Sequence, residues 1–96
     1  MAKVAVAPAA RTDFTRILEH FRQHEGSTGP RRISEIIAAI DLLGTSPHLG
    51  RPAEGGLREL VIGKGRDAFV ALYRYDRKHD VILVLGVRSA REAGRR

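Results

Sequence analysis

Ninety-six residues, 43% apolar and 29% charged, suffice for one domain with a single core. They exclude intrinsic disorder, and the length leaves no room for a large barrel or a two-lobed enzyme. With no cysteine, disulfides, thiolate metal sites and a cysteine nucleophile are excluded too. The expectation is a cytoplasmic chain held by packing alone. The longest apolar run, Val81–Val87, falls far short of the ~20 residues of a membrane span. No long apolar region of a signal peptide follows the N-terminus, so no membrane association is expected.

The net charge is +6 and it is uneven. Residues 1–50 carry six basic and five acidic side chains, whereas residues 51–96 carry eleven and six. All the cations except Lys3, Lys64 and Lys78 are arginine, whose rigid donor fork suits phosphates and carboxylates. The C-terminal half therefore points to an anionic partner, either nucleic acid or an acidic protein segment.

Lys3–Val6 alternates polar and apolar residues, which predicts a short strand within 1–7. After Pro8, the residues Phe14, Ile17, Leu18 and Phe21 fall at i, i+3, i+4 and i+7, the stripe of an amphipathic helix. Gly26–Pro30 breaks it, with Ser27 or Thr28 available to cap a second helix and Pro30 suited to its first turn. That helix carries Ile33, Ile36, Ile37, Ile40 and Leu43 and ends at Gly44. The two make a hairpin over 9–44. A loop rich in proline and glycine follows to Gly56.

Leu57–Ile62 and Ala68–Asp76 alternate as strands, joined by the turn Gly63–Asp67. After a polar turn, Val81–Val87 reads as a central strand covered on both faces. Residues 57–87 thus form an antiparallel meander, and 88–96 a basic tail. The fold expected is α+β, in the order β-α-α-β-β-β. A helical hairpin packs on a four-stranded, largely antiparallel sheet in one domain over 1–96. Phe14, Ile17, Leu18, Phe21, Ile33, Ile36, Ile37, Ile40, Leu72, Val84 and Leu85 are expected in its core.

No metal or other cofactor is expected. His20 and His24 share a helix face, but a third ligand is missing and the spacing is not that of a zinc helix. Gly63-Lys64-Gly65 lies between two strands, so no helix N-terminus could receive a phosphate there, and a glycine-rich hairpin explains it. No nucleophile elbow or carboxylate pair stands out. Arg74 interrupts an apolar strand face, where an unpaired buried charge would be costly.

Taken together, Pro47-His48-Leu49-Gly50-Arg51-Pro52, Leu57-Arg58-Glu59-Leu60, Phe69–Tyr75 and Val87-Arg88-Ser89-Ala90-Arg91-Glu92 make a pattern along nearly the whole chain. In that order they resemble the RelE/ParE superfamily of type II toxin–antitoxin toxins. The resemblance implies an agent of growth arrest and plasmid stability, neutralised by an acidic cognate antitoxin. Operator DNA would be met only through that antitoxin. RelE-like members cut mRNA on the ribosome, and ParE-like members poison DNA gyrase.

The chain departs from the nuclease pattern, with Ser89 where many relatives have histidine and Arg95-Arg96 where a tyrosine often closes the tail. RNA cleavage needs groups that accept and donate protons, a role to which arginine is ill suited. The ParE-like, gyrase-inhibiting reading therefore leads, with Arg51, Arg58, Arg74, Arg88 and Arg91 as candidate target-binding residues. The alternatives are a RelE-like ribonuclease, with Lys64, Arg66, Tyr73, Tyr75 and His79 as its candidates, or a catalytically silent binding partner.

Overall fold

The computed structural model describes residues 1–24 and 29–93. In chain order the elements are β1 (Lys3–Val6), α1 (Pro8–His24), α2 (Gly29–Asp41), β2 (Arg51–Pro52), β3 (Arg58–Ile62), β4 (Phe69–Asp76), β5 (Val81–Ser89) and the single turn α3 (Ala90–Ala93). The expected capping by Ser27 or Thr28, and the arginines at 95 and 96, lie outside the described residues. Pro30 stands in the first turn of α2, where its missing N–H costs nothing.

The sheet has five strands rather than four, in the order β1-β5-β4-β3-β2. The additional strand is β2, whose two residues pair antiparallel with β3. Pro52 is tolerated there because the strand lies at a sheet edge. β1 runs parallel to β5, and the remaining pairs are antiparallel. The β4–β5 register jumps between Leu72 and Tyr73, from Gly86 to Val84, which leaves Leu85 as the extra residue of a bulge. Just beyond the bulge, the Val87 N–H donates to Asp13 Oδ2 at 2.9 Å, fastening α1 to β5.

Both helices pack on one face of the sheet. Ile17 and Phe21 of α1 and Ile36 and Ile40 of α2 are buried there. Ala2, Ala10, Leu43, Leu60, Ile62, Phe69, Ala71, Tyr73, Ile82, Val84 and Val87 complete that core. Two core expectations are overturned and four are met only in part, Phe14 and Ile33 being half-buried at the margin of the core as Leu72 and Leu85 are elsewhere. Leu18 and Ile37 are 42% and 48% exposed, because the apolar stripe of the hairpin is wider than the surface the sheet covers. Leu72 and Leu85 are only half-buried, because neither α1 nor α2 packs on the opposite face of the sheet. β5 is an interior strand, between β1 and β4, and α1 covers one face of it.

Ile36→Ala should consequently cost about 3 kcal/mol through a core cavity, and Ile37→Ala below about 1 kcal/mol. Urea unfolding of the two variants checks this. Equal losses would contradict the placement of Ile37.

Candidate functional site

The loop between α2 and β2 is fastened to the sheet by two side chains. Tyr73, wholly buried, donates its hydroxyl to the Pro47 carbonyl at 2.8 Å and accepts the Gly50 N–H at 2.9 Å. Arg58 Nη1 donates to the Gly50 carbonyl at 2.7 Å. Gly50 is required here: a Cβ would lie 2.7 Å from the Tyr73 ring and 2.8 Å from the Glu59 carbonyl oxygen. The Tyr73 hydroxyl and Arg58 Nη1, on candidates for chemistry and for target binding, are committed to this loop.

A second polar cluster closes the β4–β5 turn. Tyr75 donates its hydroxyl to Asp80 Oδ1 at 2.8 Å, and His48 lies edge-on to its ring at 5.5 Å. The hydrogen bond to Asp80 raises the Tyr75 pKa above the usual tyrosine value. His79 Nδ1 lies 2.8 Å from Asp76 Oδ2, and its backbone N–H donates to Asp76 Oδ1 at 3.2 Å. These bonds hold the Asp76 carboxyl below the ordinary 3.8.

A depressed carboxyl pKa stabilises the fold above its unfolded value, and that contribution is lost as pH falls through the folded one. His79→Ala should therefore destabilise the chain modestly at pH 6 and hardly at all near pH 2. Denaturant melts across that range read the difference.

Lys64 and Arg66 occupy the opposite turn, between β3 and β4, where Gly63 and Gly65 adopt positive φ of 90° and 61°. The eight residues of β4 separate the two turns by roughly 25 Å. The five nuclease candidates are thus divided between two ends of a strand, with Tyr73 buried between them. They are not brought to one place.

The target-binding candidates divide as well. Arg74 pairs with Leu83, Arg88 with Val70, and Arg51 with Glu59, and directly opposed residues share a sheet face. Arg51, Arg74 and Arg88 are therefore exposed on the face that the helices leave open, among Val61, Leu72 and Leu83. This resolves the anomaly of Arg74, since that strand face looks to solvent. Arg51 Nε makes an ion pair with Glu59 at 3.2 Å. Arg91 is elsewhere, 4.0 Å from Asp67.

A third surface lies beside the hairpin, built from residues that the sequence assigns to the core. A groove of about 690 Å³ runs between the helices and β1, lined by Phe14, Leu18, Ile33, Ile37 and Ile40 with Lys3, Arg11 and Asp41 as its charged groups. β1 pairs only with β5, so its other edge is unpaired among the described strands. The exposed Leu18 and Ile37 are the apolar walls of this groove.

Among the described residues no three histidines, aspartates or glutamates converge for a metal. His20 and His24 stack at 4.4 Å, and His24 Nδ1 lies 3.0 Å from the His20 carbonyl. No helix among the described residues is long and apolar enough to cross a membrane.

Residues 4–94 match the family model described as the ParE toxin of the type II toxin–antitoxin system parDE. The chain belongs to the ParE toxin family. Toxin RelE3 of Caulobacter vibrioides is 27% identical to this ParE-family chain over 92 residues, covering 96% of this chain and 98% of that protein. Among solved structures, the chromosomal ParDE system from P. aeruginosa superposes with a TM-score of 0.77 at 22% identity, over 93% of this chain and 96% of that one. The RelBE2 toxin–antitoxin complex of Mycobacterium tuberculosis gives 0.65 at 20% identity, over 92% and 96%. The protein is a type II toxin of the ParE/RelE superfamily, and its helical hairpin on a mixed sheet is the fold of those relatives.

Proposed function

We propose that this ParE-family toxin inhibits DNA gyrase through the open face of its sheet and is silenced by an acidic antitoxin seated in the helix–β1 groove. The observation that carries the reading is the dispersal of proton-transfer groups described above. A ribonuclease needs an acid and a base beside one phosphodiester. Here Tyr75 and His79 sit a strand's length from Lys64 and Arg66, and Tyr73 is occupied. The open face offers instead what a protein-binding surface needs, apolar side chains flanked by arginines. The groove supports the antitoxin half: its walls are apolar, among the described residues Lys3 and Arg11 outnumber the one carboxylate on its lining, Asp41, and the β1 edge can accept an added strand. The solved relatives come from a ParDE system and a RelBE2 complex, which supports a partner of this kind.

The name of the Caulobacter relative, RelE3, favours ribosome-dependent mRNA cleavage as a second reading. Expression in cells separates the two: gyrase poisoning gives filamentation and DNA-damage signalling, and mRNA cleavage an immediate stop in translation. Reversing Arg74 and Arg88 together (R74E/R88E) should abolish growth arrest at equal expression, with stability unchanged because both are exposed. Antitoxin affinity should stay within about threefold of the parent, since neither residue lines the groove. Undiminished arrest by the variant would remove the open face from the account.

A further inference from the structure

A separate cleft of about 330 Å³ opens on the helix-bearing side, at the end of the sheet where β4 begins and β5 ends. Four arginines converge on it from four parts of the chain: Arg16 from α1, Arg32 from α2, Arg66 from the β3–β4 turn and Arg91 from α3. His20 joins them, and among the described residues Asp67 is the one carboxylate lining the cleft. The groups are widely separated in sequence, so their convergence is a product of the fold.

Arg32 is held in place. Its guanidinium lies 5.2 Å from the Phe21 ring centroid and 5.5 Å from that of Phe69. Its Nη2 donates to the Asp67 carbonyl oxygen at 2.6 Å. A guanidinium lying over two rings and hydrogen-bonded has little entropy left to lose when it meets an anion. The surrounding Ile17, Phe21 and Phe69 are apolar, and a low-dielectric wall strengthens the field of the cations facing it. Two carboxylates offset this in part, Asp67 at 4.0 Å from Arg91 and Asp13 at 3.5 Å from Arg16, which leaves the four arginines in excess over them.

We propose that this cleft is a binding site for a phosphate group, carried either by a small polyphosphate or by a nucleic-acid backbone. Donor forks arriving from several directions match the tetrahedral oxygens of phosphate better than the two oxygens of a planar carboxylate. The site stands apart from the gyrase reading, since Arg51, Arg74 and Arg88 look to the other face of the sheet.

The test titrates the full chain with inorganic pyrophosphate at about 0.15 M salt, where distant surface charges are screened. Backbone amide shifts are followed by NMR. Saturable shifts confined to residues 66–69 and 89–91 and the facing turns of α1 and α2 are expected. R66E and R91E should each weaken binding about tenfold or more, whereas R77E, a reversal in the distant β4–β5 turn, should change it less than about twofold. Arg66 is exposed, so R66E keeps the test valid even if R91E were to disturb folding. A twelve-nucleotide single strand that displaces pyrophosphate and binds more tightly identifies a nucleic-acid source. Failure of the strand to compete identifies a small polyphosphate, and either result upholds the site. Non-saturating shifts, an equal loss in R77E, or tighter binding of a hexaglutamate peptide would overturn it.

Discussion

Truncating Tyr73 to alanine is expected to cost about 5 kcal/mol, enough to bring a domain of this size close to unfolding. The ring is wholly buried in the core, so its loss opens a cavity among Ala71, Val84 and their neighbours. Its hydroxyl also fastens the loop through Pro47 and Gly50. Tyr73→Phe separates the two contributions: it keeps the ring, and should cost about 2 kcal/mol through the two orphaned backbone groups. Chemical unfolding of both variants supplies the numbers. Near-neutral behaviour of Tyr73→Phe would mean that water replaces the hydroxyl and that the loop is fastened by Arg58 alone.

The second large effect concerns the groove. Leu18 and Ile37 are about half exposed, and a docked segment would bury what the fold leaves open. Placing carboxylates at both positions (L18E/I37E) replaces that gain with desolvated charge facing the proposed acidic antitoxin. Antitoxin affinity should fall at least about 100-fold, close to 3 kcal/mol, while stability changes by less than about 1 kcal/mol. The variant should stay toxic and lose its neutralisation. Binding kinetics report the same anatomy: raising salt from about 0.05 to about 0.5 M should slow association far more than it speeds dissociation. Apolar contacts, which salt does not screen, should set the dissociation rate. Unchanged affinity of L18E/I37E would relocate the antitoxin.

Both helices and the three long meander strands were legible because their apolar residues recur at the helical or the strand period. β2 was not, since two residues carry no period. Sidedness was the larger loss. The run Val81–Val87 reads as covered twice, yet only the face with Ile82, Val84 and Val87 meets the helices. In the same way the stripe of Leu18 and Ile37 announces that something covers it, without saying whether its own sheet or another chain does so. Arg74 stood out in the sequence as a charge on an apolar strand, and the open face is the reason. The role of Tyr73 was illegible because its partners Pro47 and Gly50 stand 26 and 23 residues away. The arginine cleft has the same cause, its members being spread from Arg16 to Arg91.

The central claim is that this ParE-family toxin acts on gyrase. The most direct measurement is DNA supercoiling by purified gyrase at rising concentrations of the toxin, with ribosome-bound mRNA incubated in parallel. The account predicts inhibition that grows with toxin, is reversed by stoichiometric antitoxin, and leaves the mRNA intact. Unimpaired supercoiling together with codon-specific cuts in the mRNA would contradict it.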